Sequence, residues 1–223
     1  MLKNINLKET ALRVVILLFG LVIAHLGVTL FLLADLGADP FNVFIQGLFR
    51  TASRFALGER ITHGQVHRAI CFLIILVLLV TDRSYVRIGT ILCMFFGGPI
   101  IDFFTLLLAP LFAAGLPVWL KVAVNCLGCA ILAFGMTIVI KSEAGTGPND
   151  LVAIVISDKL KKKFSIVRVL VDLFFAGIGF AMGGTLGIGT IICAFIVGPV
   201  AGAFMPVNEK WIRKTVEKFN RAR

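Results

Sequence analysis

The sequence predicts an all-α membrane protein of six transmembrane helices. The expected layout is a 3+3 inverted repeat, each repeat with an extra short helix after its first span. Three observations carry this prediction. The 223 residues are 59% hydrophobic, have a mean hydropathy of +1.00 and are 15% charged, against about 25% charged in soluble domains. Apolar runs near the ~20 residues that cross a bilayer recur along the chain. One pattern also occurs twice. Leu36-Gly37-Ala38-Asp39-Pro40-Phe41-Asn42-Val43 answers Ala144-Gly145-Thr146-Gly147-Pro148-Asn149-Asp150-Leu151 at an offset of 108 positions (148 − 40). The same offset pairs Arg13 with Lys121, Gly20 with Gly128, Gly27 with Gly135, Thr29 with Thr137, and Asp35 with Glu143. Later, Ile88-Gly89-Thr90-Ile91 answers Ile188-Gly189-Thr190-Ile191 at an offset of 100 (188 − 88), as do Arg68 with Arg168 and Gly98-Pro99 with Gly198-Pro199. The difference places the extra loop residues of the first half between Leu48 and His63.

The elements follow in order. A basic segment, 1–12, precedes repeat 1, residues 13–113. Its first span is 13–34, too long for the apolar core of a signal peptide, and so expected to be retained. The Pro40 motif opens a short helix, 40–55, with Asn42, Gln46, Arg50, Ser53 and Arg54 on one face. Spans 66–81 and 88–113 complete the repeat, the latter interrupted at Gly97-Gly98-Pro99. Repeat 2, residues 118–206, has spans 118–140, 166–182 and 186–206, with a Pro148 helix at 148–160 that ends in Lys159, Lys161, Lys162 and Lys163. A basic tail, 207–223, closes the chain.

Three spans per repeat force the two repeats into opposite orientations. The charge distribution agrees. The net charge of +10 is concentrated at the chain ends and in the 83–87 and 159–163 loops, while the 109–117 and 182–187 connections carry no charge. The positive-inside rule then places both termini in the cytoplasm. It also reads the basic excess as topology and excludes nucleic acid as a partner. All five cysteines, including the Cys126–Cys129 pair, lie in apolar stretches, so neither a disulfide framework nor a metal or other cofactor is expected.

Four pieces of this pattern carry a family likeness: LGADPFNV after the first span, IGTI before the mid-span GGP, GTGPND after the fourth, and LGIGT…GP in the sixth. Over 20–199 the chain resembles the YczE/YitT group of small bacterial integral membrane proteins. The resemblance implies a multi-pass protein of the bacterial inner membrane, with five or six spans, and brings no substrate or functional residue with it.

The candidate site rests on the residues alone. Gly37 and Gly145 allow sharp breaks, and Pro40 and Pro148 suit the first turn of a helix. Two helix starts facing each other would offer free N–H groups to an anion; the plainer alternative is an interfacial turn capped by Asp39. With Pro99 and Pro199, these glycines and prolines are the expected hinges. Asn42, Asn149 and Asp150 lie in the first turns and can read polar groups of a ligand. Ionisable residues at membrane depth are costly and are expected to be paired or to line a polar cavity. Arg168 and Asp172 are spaced for an i, i+4 pair, and Arg68 is expected to reach Asp102; simple snorkelling is the alternative for both arginines. Asp39, Asn42, Arg68, Asp102, Asn149, Asp150, Arg168 and Asp172 therefore form the expected substrate-binding set. Asp35 and Glu143 are read as interfacial charges, and Thr29, Thr137, Thr90 and Thr190 as helix-packing hydroxyls. His25 is read as a buried histidine bonded to a neighbour, with proton relay as the alternative.

No nucleotide-binding loop, zinc-protease or serine-hydrolase motif occurs, so the expected protein is not an enzyme. The expected function is secondary transport of a small polar, carboxylate-bearing or zwitterionic metabolite at the repeat interface, with proton coupling. The alternative is a membrane scaffold or assembly subunit. The bilayer, a small solute and a homodimer are the candidate partners.

Overall fold

A computed structural model describes residues 7–54, 61–113, 115–162 and 164–221, without the side chains of Phe164, Ser165 and Arg168. Among these residues the chain forms eight α-helices, one 3-10 turn and no strand. The helices are α1 Leu7–Ala34, α2 Pro40–Arg54, α3 His63–Asp82, α4 Ile88–Phe112, α5 Val118–Lys141, α6 Pro148–Leu160, α7 Phe164–Ala181 and α8 Ile188–Arg221. Five of them, α1, α3, α4, α5 and α8, are long and apolar enough to cross a membrane, and α7 contains the shorter apolar stretch Val169–Ala181. Large apolar side chains such as Val80, Leu106 and Phe195 stand exposed, as lipid-facing residues do. The chain is a multi-pass membrane protein.

Two boundaries differ from expectation. α4 passes Gly97-Gly98-Pro99 as one continuous helix. A proline removes one main-chain bond, and the ladder on either side carries the helix through. α8 likewise runs through Pro199 and Pro206 to Arg221, so the residues expected as a separate tail extend the last helix. They dock back on the bundle. Ile212 and Val216 pack with Ile16 and Ile138, Lys141 pairs with Glu209 at 2.6 Å, and Asn208 donates to Thr137 Oγ1 at 2.7 Å.

α1 and α5 form the central pair. Gly20 lies against Gly135 and Gly27 against Gly128, so the helices run antiparallel. A Cβ on Gly27 would stand 2.5 Å from the Gly128 carbonyl oxygen; glycine is what lets the two backbones come this close. α4 lies along α1, with Leu17 beside Gly89 and His25 beside Gly97. α8 lies along α5, with Asn125 beside Gly189. The short helices cross between the halves. α2 packs on α7, where Gly47 and Gly179 bring the backbones together, and α6 packs on α3 through Leu78, Leu151 and Val155.

The breaks after α1 and α5 are alike residue for residue. Asp35 (φ 50) and Gly37 (φ 119) turn the first, and Glu143 (φ 58) and Gly145 (φ 152) the second. A left-handed φ costs a glycine nothing, which is why the motif carries one at each of these two turns. Each turn is held by the other half of the chain. Gly189 N donates to Leu36 O at 2.7 Å, and Gly89 N donates to Ala144 O at 3.0 Å. Asp35 and Glu143 are ion-paired, with Arg50 at 3.1 Å and Arg13 at 2.8 Å respectively.

Candidate functional site

The two helix starts differ in their chemistry. At α2, Asp39 is an N-cap. Its carboxylate accepts from Asn42 N at 3.3 Å and from Asn42 Nδ2 at 2.6 Å, while its carbonyl accepts from Val43 N at 2.9 Å. The start of α2 is thus already met by a carboxylate of its own chain, which opposes a free anion there. At α6, Gly147 O accepts from Asp150 N at 3.1 Å and from Leu151 N at 3.2 Å, and Asn149 Nδ2 donates to Asp150 Oδ1 at 3.2 Å. Asp39 and Asp172 both stand close enough to Cys193 of α8 for their charges to act on its thiol. Asp150 stands in the same relation to Cys71 of α3 and Cys93 of α4. The start of each short helix is therefore acidic. Their polar flanks also leave buried atoms unpaired: Asn42 Oδ1 in the first turn of α2, and Thr90 Oγ1 beside Gly145.

The expected Arg68–Asp102 pair does not form. Gly64 and Gly98 bring α3 and α4 into backbone contact, which sets the first turn of α3 against Asp102. The carboxylate accepts from Gly64 N at 2.9 Å and from Thr62 Oγ1 at 2.6 Å. Asp102 therefore caps α3 from a neighbouring helix, next to the Thr62–Gln65 capping box. Arg68 lies one turn on. Its Cβ is near Gly98 and the residue is exposed, as the snorkelling alternative holds. The Arg168 end of the Arg168–Asp172 pair lies outside the described side chains. The polar face of α2 is spent on the loop before α8. Gln46 Oε1 accepts from Thr185 N at 2.6 Å, and Arg50 donates to Gly183 O at 2.8 Å.

The largest departure from the sequence reading concerns the histidines. The chain has three; two of them, His25 and His67, meet inside the bundle, and the third, His63, precedes His67 by one turn of α3. His63, His67 and Cys71 lie one turn apart along α3, and His25 comes from α1. The His25 and His67 rings meet edge to face at 5.6 Å, and Phe41 closes the other side of His67 at 5.6 Å. Gly97 leaves the room, since a Cβ there would stand 2.9 Å from His25 Nε2 and 3.1 Å from His67 Cε1. His25 Nδ1 lies 2.9 Å from Leu21 O. A carbonyl only accepts, so Nδ1 carries the hydrogen and Nε2 presents a lone pair beside Gly97 of α4. His63 Nε2 is buried without a hydrogen-bond partner, beside Asp102 and Arg50. His25 is thus a buried histidine bonded to a neighbour, as the sequence predicts, while its meeting with His67 is not among the expectations. The signal was there: two histidines and a cysteine at i, i+4 and i+8 in an apolar helix.

A cleft lies elsewhere. It measures about 640 Å³, runs between α6 and α7 and is lined by Val152, Ile156, Leu160, Val171, Phe174 and other apolar residues, with Lys162 its one charged member among the described residues. Its walls suit acyl chains, and among the described side chains it touches none of the expected polar set.

Comparison with known proteins fits this picture. The chain is 29% identical over 213 residues, 95% of its own length and 94% of the relative's, to the Bacillus subtilis (strain 168) protein named "Uncharacterized membrane protein YczE". It is 27% identical over 195 residues to an "Uncharacterized protein" of Haemophilus influenzae, covering 86% of this chain and 83% of that one. It is 25% identical over 205 residues to "Uncharacterized protein YyaS" of Bacillus subtilis, covering 86% and 91%. No solved structure matches. The model of DUF6198, a family of unknown function, matches residues 11–206, and the chain, a YczE-like membrane protein, belongs to that family.

Proposed function

We propose that the protein is a non-enzymatic secondary transporter of a small polar metabolite, built as an inverted 3+3 repeat with α7 as its sixth span. Its place is the bacterial inner membrane, with both termini cytoplasmic. One observation carries the reading. Two glycine-broken helix starts stand at corresponding positions, each held by the opposite half of the chain, with acids and unpaired buried polar atoms around them. Discontinuous helices at repeat interfaces are where transporters of this architecture bind. The paired bonds Gly189–Leu36 and Gly89–Ala144 support the repeat, because the sequence offsets exchange one for the other. The antiparallel Gly20–Gly135 and Gly27–Gly128 contacts do the same. The chemistry narrows the substrate. Asp39, Asp150 and Asp172 suit an ammonium group, so a zwitterion read from its amine end fits better than a simple carboxylate.

The test is a thermal-stability screen of purified protein against a metabolite library, followed by uptake into proteoliposomes. A zwitterionic solute should give a saturable upward shift in Tm and should be moved across the membrane. Shifts confined to lipids or detergents would overturn the reading. The alternative, a scaffold or assembly subunit without transport, is favoured by one feature. Among the described residues nothing stands within 4 Å of where a Cβ would be at Gly198 and Gly202 of α8, a face that a second copy or another membrane helix could cover.

A further inference from the structure

We infer that His25, His63 and His67 together form one proton-binding site at membrane depth, holding a single exchangeable proton, and that this proton is the coupling ion of the transporter; the coupling role rests on the function proposed above, the binding site does not. Three features of the geometry lead there.

The first is the accepting atoms. His25 Nδ1–H is committed to Leu21 O at 2.9 Å, so a proton arriving at His25 binds Nε2 and makes an imidazolium without breaking that bond. His63 Nε2 is buried and unpartnered, a second ring nitrogen that no neighbour already occupies. An unpaired buried polar atom is costly, and a water or a polar group of the solute bonded to that nitrogen would remove the cost and give a proton a carrier.

The second is continuity. His63, His67 and Cys71 succeed one another on one face of α3. His25 is edge-on to His67 at 5.6 Å, and Cys71 Sγ is 3.8 Å from His67 Nδ1. The lane begins beside Asp102 and Arg50, which act on His63. It ends beside Cys71, where the charge of Asp150 is felt. It thus joins one flank of the bundle to the acidic start of α6, where the solute is proposed to bind. A proton taken onto an imidazole nitrogen at the His63 end can move to His67 and His25, and leaves by the same nitrogens. No bond other than N–H and O–H is made or broken.

The third is the count. His67 feels the charge of both His25 and His63, so a second proton in the cluster meets the first. With His25 and His67 ring to ring at 5.6 Å and His63 one turn away on α3, a second proton would be repelled by the first, and the proposal expects the rings to titrate as a unit. The other groups facing the cluster are Asp102 and Cys93 from α4, Arg50 from α2, Asp150 from α6 and Cys71 from α3 itself. Phe41 and Phe49 close it with apolar edges. The rings meet edge to face, and among the described residues no three metal-ligating side chains converge, so a proton fits this site better than a metal ion.

Because all three histidines of the chain are in the lane, selective [15N]histidine labelling of tag-free protein in lipid nanodiscs reports on nothing else. Between about pH 5 and 9 the expected spectrum shows the imidazole nitrogens shifting with one shared midpoint and a total uptake of one proton. Three rings that stay neutral over that range, or three independent titrations, would overturn the proposal. His67→Phe keeps the ring stack on Phe41 and should separate the His25 and His63 titrations; His25→Gln should abolish the shared midpoint while leaving the α3 pair. Solute uptake separates the two readings. A shared proton with no transported solute leaves the site standing and sinks the transporter, whereas uptake that is independent of pH and of His67→Phe sinks the coupling role alone.

Discussion

Asp102→Ala tests whether this acid serves the fold or a ligand. In the structure its two oxygens accept from Gly64 N at 2.9 Å and Thr62 Oγ1 at 2.6 Å. Gly64 is buried against α4, so its N–H has no route to water once the carboxylate is gone. Thr62 is exposed and can turn its hydroxyl to solvent. A hydrogen bond to a charged group contributes about 1.5–3 kcal/mol, and the Gly64 bond should supply most of the loss. Asp102→Ala is therefore expected to cost about 2–3 kcal/mol. Asp102→Asn keeps an acceptor for Gly64 N and should lose less than half of that. Thr62→Ala removes the N-cap as well and should cost about 1 kcal/mol. The double variant closes a cycle whose coupling isolates the 2.6 Å bond. The measurement is thermal unfolding in a fixed detergent, with urea titration as a second probe. If Asp102→Ala unfolds with the wild type, or if Asn and Ala are equally damaging, the cap is not what Asp102 is for, and its half-buried carboxylate returns to the candidate ligand set.

Two further outcomes follow from the same geometry. Asn208→Ala deletes the 2.7 Å bond to Thr137 and should lower stability by about 1 kcal/mol, with loosening confined to the last turns of α8; limited proteolysis there that matches the wild type would contradict a docked helix end. In a background without the five native cysteines, Gly115→Cys should react with an impermeant maleimide in intact cells and Lys214→Cys only after lysis. The opposite pattern would invert the topology.

The helices were legible because their causes are local. Apolar length marks the spans, and Gly-x-x-Pro marks the breaks at Pro40 and Pro148, where the short helices begin at those residues. The repeat offsets matched Gly89 with Gly189 and Leu36 with Ala144, and in the structure the two glycines donate corresponding bonds, to Ala144 O and Leu36 O. The site was less legible, for a physical reason. Matching ionisable residues expected at membrane depth gave Arg68 to Asp102, but what reaches Asp102 is set by the Gly64–Gly98 contact. That contact is a fact of helix packing, and no spacing on one helix reveals it. The histidines were hidden in the same way. His25 lies 42 residues from His67 (67 − 25), and the two rings reach each other beside Gly97 of a third helix. Asn125 was missed because an amide in an apolar span looks like a packing residue until the carbonyl it serves, Gly37 O at 3.2 Å, is known.

The paired turns allow a sharper test than either would alone. Gly89 and Gly189 occupy corresponding positions and donate corresponding bonds, yet their surroundings differ. An added Cβ on Gly89 would meet the end of the Leu17 side chain first, then Ala144 O at 2.7 Å. On Gly189 it would meet Asn125 Nδ2 at 2.6 Å and Gly37 O at 2.8 Å. Both alanine variants overpack, at a cost of about 1–3 kcal/mol, but the neighbours give way differently. Leu17 can change rotamer. Asn125 is fully buried, donates to Gly37 O and accepts from Cys129 Sγ at 3.8 Å, so moving it strips two partners. Gly189→Ala should therefore lower Tm more than Gly89→Ala. Adding Leu17→Ala should recover part of the Gly89→Ala loss, whereas adding Asn125→Ala to Gly189→Ala should deepen the defect by leaving Gly37 O unpaired. Equal losses at the two glycines, or rescue by Asn125→Ala, would show that the turns are held by something other than these two bonds, and the pairing of the halves would lose its main structural support.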